Sequence, residues 1–373
     1  MRARVLCLVG VLLVACSQPH PTAGVSPTAN VSAPTQPTAP PTAQVTASPI
    51  SSPTPAGDLP VARVAFSCRL PVVTVNPGVP GLQGGFITFP AGQLADDPNG
   101  TMLPRASHND YATNVSPVLY GGGGVFYDRA AMRWVPASPA ATLADGSAYA
   151  YVTTDSTAQI VDVASGNVRT FDLKSLDRPA ILDFDTRGVY LYSPSAIGGP
   201  GEGVWLLNPT TGSVTQMRAV HRLWAVHDGK AWVARLDPRD KTVWPQMEIA
   251  PADSLVQVDL ATGTETEWFY RAGSYPWMIG FASGRPLIAV VGSHGQSEVR
   301  LIDQPGSDGT LVYSGSLVFD GYFGHYQGDG DRIWLGSERG IYLFRPDWGF
   351  HKVFAYNAAP GSGGDILPAG LCL

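Results

Sequence analysis

Three groups of residues in this 373-residue chain carry side chains with chemistry to offer. His108, Asp110 and Tyr111 fall within a long candidate loop, Ala91 to Gly123, and Arg239, Lys241 and Trp244 within another, Asp237 to Asp253. Tyr275, Trp277, Tyr322 and His325 sit in links between recurring β-prone runs. Aromatic rings flanked by a few charges can stack on a sugar ring or anchor a protein partner. Bond-making machinery is harder to find. No Gly-x-Ser-x-Gly follows a strand and opens a helix, so a nucleophile elbow is excluded. The run Gly121 to Gly124 is not followed by Lys-Ser or Lys-Thr, which removes a phosphate loop. Gly198 to Gly203 (GGPGEG) reads as a flexible loop. Asp329-Gly330-Asp331 lacks the rest of a calcium loop and reads as a turn. No His-x-x-x-His or His-Glu pairing occurs. The expectation is therefore no catalytic residue, no metal and no cofactor.

The elements that must position these groups are written in a repeat. Ile160 to Phe171 reads IVDVASGNVRTF: an apolar run into an Asp, a short turn with Gly, then a second β-prone run. That is the pattern of an antiparallel hairpin. Related phrases begin at Val204 (VWLLNPTTGSV), Val256 (VQVDLATGTET), Val299 (VRLIDQPGSDGTLV) and Ile341 (IYLFRPDWGFHKV), with a looser copy at Val125 (VFYDRAAMRWV). A period of ~40–50 residues is the range of propellers and other arrays. A propeller blade is a four-stranded antiparallel meander, and its middle two strands can be paired by eye. Tyr149–Thr154 goes with Gln159–Val163, Val189–Ser193 with Val204–Leu207, and Ala231–Leu236 with Leu255–Leu260. Leu287–Val291 goes with Val299–Ile302, and Ile333–Leu335 with Ile341–Phe344. Phe86–Phe89 with Val125–Tyr127 makes a sixth copy carrying a long insertion. The fold class is all-β, a β-propeller of six four-stranded blades, or seven if the two ends of the chain combine into another. In such a ring the loops between second and third strands share a face with the links between blades. The longest of these are Ala91–Gly123, Pro194–Gly203 and Asp237–Asp253, and binding residues concentrate on loops held by a rigid scaffold.

Before the repeat come two segments of other kinds. Arg2 and Arg4 precede an apolar run, Val5 to Val14, which is too short for a mature spanning helix. The run ends Leu13-Val14-Ala15-Cys16, which resembles the lipobox of bacterial lipoproteins. The resemblance implies cleavage before Cys16 and acylation of its thiol, with residues 1–16 as the leader. Several acyl chains would hold the protein on a membrane, at about 0.8 kcal/mol per buried methylene. Residues 17–58 are rich in Pro, Thr, Ser and Ala. Such a segment buries too little apolar surface to offset the entropy of ordering, so an extended tether is expected. The folded domain is residues 59–373.

The run Tyr127 to Val152, YDRAAMRWVPASPAATLADGSAYAYV, resembles the TolB-like and WD40-like repeats of bacterial extracytoplasmic propellers. In those repeats a Ser-Pro-Asp-Gly turn joins the inner strand to an apolar second strand. Here Ala144-Asp145-Gly146 keeps the Asp-Gly, and Asp228-Gly229 and Asp331-Arg332 are partial echoes. The resemblance implies architecture and selects no activity, because such folds serve scaffolds, binding proteins and enzymes. Beyond Cys7 and Cys16, the chain has only Cys68 and Cys372, near the two ends of the folded region. In an oxidising compartment such a pair is readily bridged. A disulfide there would join the first and last blades.

The formal net charge is −6 and no basic stripe is visible, so nucleic acid is not an expected partner. The expected localisation is the cell envelope, outside the cytoplasm, with the membrane met through the lipid anchor and the chain a monomer. The expected function is a binding or scaffolding module for a protein or polysaccharide at the cell surface. The alternatives are an envelope enzyme acting on a glycan or related polymer, and a ligand-sensing accessory lipoprotein.

Overall fold

Three copies of the phrase that recurs in the sequence fold as antiparallel hairpins whose turn is held by the Asp or Asn at the end of the first strand. Asp259 Oδ1 accepts from the Ala261 and Thr262 N–H groups at 3.0 and 2.8 Å, and Asn208 Oδ1 from Thr210 and Thr211 at 2.8 and 3.1 Å. Asp162 Oδ1 accepts from the Ser165 N–H at 2.7 Å. Each turn then needs one residue in the left-handed region, and glycine takes it: Gly166, Gly212 and Gly263 have φ of 73, 73 and 79°. The repeated Asp or Asn is a turn-maker.

The computed structural model describes residues 59–75, 82–102, 125–153, 155–193, 203–239, 252–292, 297–315, 326–356 and 365–373. The regular structure there is strand apart from one 3₁₀ turn, Pro139–Ala141. Three four-stranded meanders follow one another. They are β9–β12 (Ala180–Asp185, Gly188–Ser193, Gly203–Leu207, Val214–Arg218), β13–β16 (Leu223–His227, Lys230–Arg235, Ser254–Asp259, Glu265–Tyr270) and β17–β20 (Ser274–Ala282, Arg285–Gly292, Ser297–Leu301, Thr310–Ser314). Ahead of them β6–β8 (Ala148–Val152, Thr157–Asp162, Val168–Asp172) form three strands, extended by a bridge from Thr142 to Tyr149. After them β21–β24 (Tyr326–Asp329, Arg332–Ser337, Gly340–Arg345, Gly349–Ala355) make a further meander. The last strand, β25 (Asp365–Pro368), pairs antiparallel with the first, β1 (Cys68–Val75), which leads to β2 (Leu82–Phe89) and β3 (Gln93–Met102). A short hairpin, β4–β5 (Phe126–Asp128, Arg133–Val135), completes the set.

Five of the expected middle-strand pairs form in register, among them Tyr151 against Gln159, Tyr192 against Val204 and Ala234 against Leu255. The sixth differs. Phe86–Phe89 pairs with β1 on one side and with Ala95, Leu94 and Gln93 of β3 on the other, while Phe126 and Tyr127 pair with Val135 and Trp134. The start of the supposed insertion is thus itself a strand, QLADDPNGTM. Its charges and Pro hid it, because an outer strand has little apolar surface to show.

The cores lie between sheets. Leu182, Tyr190, Tyr192 and Val204 pack on Val226, Ala231, Val233 and Val256 of the following meander. The same face-to-face arrangement links Trp232, Leu255 and Phe269 to Met278 and Ile288, and Leu287 and Val299 to Ile333 and Tyr342. Innermost strands adjoin in turn, β9 beside β13, β13 beside β17 and β17 beside β21. Four-stranded meanders packed face to face with their first strands gathered on an axis make this chain a β-propeller. Arginines at the rim tie each sheet to the next one's turn: Arg133 donates to the Val163 carbonyl at 2.7 Å, Arg169 to Pro209 at 3.0 Å and Arg218 to Ala261 at 3.5 Å. Cys68 and Cys372 are joined in a disulfide, Cα to Cα 5.5 Å, at a sequence separation of 304.

Candidate functional site

The innermost strands decide where a site can form. In β9 burial alternates along Ala180–Asp185: Ala180, Leu182 and Phe184 are buried, while Ile181, Asp183 and Asp185 are half-buried, Ile181 packing against the core that β9 shares with β6–β8. The end of the strand, from Leu182 to Asp185, borders a cavity of about 870 Å³. Its wall is drawn from four inner strands and from the turns that follow them: Asp183, Asp185 and Arg187, then His227 and Asp228, then Gly280 and Phe281, then Gln327 and Gly328. Thr142 to Asp145, before β6, supply the remaining side.

The groups in the wall are unevenly placed. Asp185 is tied down: the Arg187 Nε–H donates to its Oδ2 at 2.8 Å, the Arg187 Nη2 pairs with the same oxygen, and the Tyr190 hydroxyl lies 3.4 Å away. This pairing raises the Arg187 pKa. Gly229 makes room for the guanidinium, since a Cβ there would sit 2.4 Å from Arg187 Nη1, and its φ of 69° already favours glycine. Asp183 forms no ion pair among the described residues, though Arg187 feels its charge. Its Oδ1 accepts from the Phe184 N–H at 3.0 Å. Burial, aided by the neighbouring charges of Asp185 and Asp228, pushes its carboxyl up to about 7, against the pull of the backbone donors. His227 stacks on Phe281 with ring centroids 4.3 Å apart, and burial lowers its pKa, so its imidazole is held neutral. Asp228 is 3.7 Å from His227 Nε2 and largely open to water, its side chain 84 % exposed. The cavity therefore combines an acid that changes charge near neutrality, an exposed carboxylate, a neutral imidazole on an aromatic ring and one neutralised ion pair.

A second cavity, about 700 Å³, lies beside β2–β5 and is lined by Arg69, Phe86, Asp97 and Trp134. Its groups are spent on one another: the Trp134 Nε1–H donates to Asp97 at 3.0 Å and Arg69 lies over the Phe86 ring at 3.8 Å. The axial cavity is the better candidate.

Three of the binding candidates singled out in the sequence are described. Arg239 is held by Asp237 and Glu267 and lies over the Tyr270 ring at 4.0 Å. Tyr275 meets Trp224 edge-on at 6.3 Å, with its hydroxyl pKa raised by burial. Trp277 is half-buried against the core between the β17–β20 and β21–β24 meanders. None of the three lines the axial cavity. His108, Asp110, Tyr111, Trp244, Tyr322 and His325 lie outside the described residues, as do Cys16 and residues 1–58. The cavity's own residues sit at the opposite ends of the inner strands, by the turns joining first strands to second. A signal for them existed in the Asp-Gly echoes at Asp145-Gly146 and Asp228-Gly229, which mark those turns. Among the described residues, no three His, Cys, Asp or Glu side chains gather as a metal site would require.

No family model matches the chain, and no curated protein matches it. Solved structures that resemble it include BamB from Moraxella catarrhalis, at 10% identity and a TM-score of 0.36, covering 80% of this chain and 99% of that one. The β-propeller domain of the trilobed protease from Pyrococcus furiosus aligns at 12% identity and 0.34, over 78% of this chain and 84% of that one. A chain of a nidogen/laminin complex aligns at 8% identity and 0.39, over 80% and 98%. At these scores the likeness carries no functional reading, and the fold rests on the strand topology.

Proposed function

We propose that this chain is a lipid-anchored, extracytoplasmic propeller that serves as a binding module at the cell surface. Its ligand is a positively charged group carried by a polysaccharide or protein partner, taken in the axial cavity. The observation that carries the reading is the wall of that cavity. Asp145, Asp183, Asp185 and Asp228 all contribute to it, against the single guanidinium of Arg187. A cation entering there meets unpaired carboxylates and an aromatic surface, Phe281, on which it can rest. It would also favour the ionised form of Asp183, so binding should release a proton. The anchoring half of the proposal is supported by Leu13-Val14-Ala15-Cys16 and the tether composition; no helix among the described residues is long and apolar enough to cross a membrane.

The test is calorimetric titration with a chitosan oligomer, a sugar polymer bearing protonated amines, against its N-acetylated counterpart. The amine form should bind and the acetylated form should not, and Asp228→Asn should weaken the amine form about tenfold, one lost charge contact in a half-open site. Equal binding of both forms, or indifference to Asp228→Asn, would remove the cation reading.

One observation favours a second reading, an enzyme acting on an envelope glycan. Asp183, held near 7 in the same cavity as His227 and Asp228, has the protonation state required of a general acid. Release of reducing ends from a glycan, abolished by Asp183→Asn, would establish it.

A further inference from the structure

The C-terminal strand β25 is four residues long, yet it lies between β1 and β22 and, with the Cys68–Cys372 disulfide and the backbone bonds of Ala369 and Leu373 to Pro71 and Arg69, joins the end of the chain to its beginning. Its ladder runs from Val72 opposite Pro368 to Val75 opposite Asp365, and it touches β22 at one pair, Ser337 with Ile366. Ile366, Leu367 and Pro368 are buried, as strand residues between two neighbours should be. Asp365, the first residue, is half-buried, and its Oδ1 is shut off from water with no hydrogen-bond partner among the described residues. A carboxylate placed so has lost hydration without gaining a donor.

The groups that face it offer no relief. Glu338, in the turn between β22 and β23, adds a like charge, and Glu338 itself accepts from Arg339 Nε at 3.3 Å. Tyr356, just beyond β24, is a neutral hydroxyl that feels both Asp365 and Asp96 of β3. The opposing stretch of β1, Val72 to Val75, carries no ionisable residue. No cation faces Asp365 from these elements.

We propose that Asp365 is a proton-operated latch on the seam of the propeller: neutral, it lets β25 seat between β1 and β22, and ionised, it loosens that strand. Burial and Glu338 together raise its pKa from the ordinary 3.8 to about 6. A carboxyl whose folded pKa is raised contributes no penalty below its unfolded value, and the penalty grows as pH climbs from about 4 to about 6. The seam is therefore firmest in mild acid and loosest above pH 6. The shift would allow about a hundredfold change in the opening equilibrium of β25, and the half-exposure of the group reduces this to about tenfold.

Hydrogen exchange on the full chain, disulfide intact, reads this directly. Corrected for intrinsic rates, protection of the Ile366–Leu367 amides and of the facing β1 amides should fall about tenfold between pH 5 and pH 7.5. In Asp365→Asn protection should stay high at both values, and Glu338→Gln should recover part of the loss. The same fall in Asp365→Asn, or no fall in the wild-type chain, would overturn the latch. The strands β10 and β14, remote from the seam, serve as internal controls that should not respond to Asp365→Asn.

Discussion

Replacing Asp183 by Asn should make the protein more stable at pH 8 while leaving it nearly unchanged at pH 4. The Asn side chain keeps the shape and the acceptor that meets the Phe184 N–H, and removes only the charge. The folded pKa of Asp183 is about 7, against 3.8 for an ordinary carboxyl, a rise of roughly 3 pH units. Because the folded state favours the protonated form, ionisation costs stability, and the cost accumulates as pH climbs from about 4 to about 7, then levels off. At 1.36 kcal/mol per unit the ceiling is about 4 kcal/mol; relaxation and water entry into the cavity bring the expected gain to about 2 kcal/mol. Urea unfolding of both proteins at pH 4, 5, 6, 7 and 8 isolates the effect, because Asp365, which does not line the cavity, is common to both. The difference should open between pH 4 and 7 and stay constant above. A difference that is flat with pH, or that favours the wild-type chain at pH 8, would refute the account of Asp183 as an uncompensated buried acid.

Two further outcomes follow from the scaffold. Removing the disulfide with Cys68→Ser should lower stability by several kcal/mol, up to about 5 on the loop-entropy argument for the 304-residue separation, measured as a drop in Tm and in the urea midpoint. Asp259→Ala strips two backbone N–H groups of their acceptor in one hairpin turn and should cost about 1 kcal/mol, with the same substitution at exposed Asp347 as a near-neutral control.

The propeller was legible in the sequence because its middle strands are buried on both faces. Runs such as VYLY, AWVA and LIAVV are unbroken by charged residues, and the Asp or Asn that follows each next strand, with a Gly three or four residues on, states the turn by local chemistry. The Cys68–Cys372 pair was readable for the same reason, since only two cysteines remain in the folded region and each lies near one of its ends. β3 was not legible: Gln93–Met102 is an outer strand with few apolar residues, and its pairing with β2 depends on neighbours rather than on its own pattern. Nor was the cavity. AILDFD reads as a short, interrupted run because its end, with both carboxylates, borders an axial space that no single blade contains. Asp183 and Arg187 come from one sheet and His227 and Asp228 from the next, and they acquire a common environment only when inner strands are gathered on the axis. Local sequence determines strands and turns through periodicity and hydrogen bonding between near neighbours. The pKa of Asp183 is set by burial and by charges up to 45 residues away in the chain, and so only the assembled propeller could decide it.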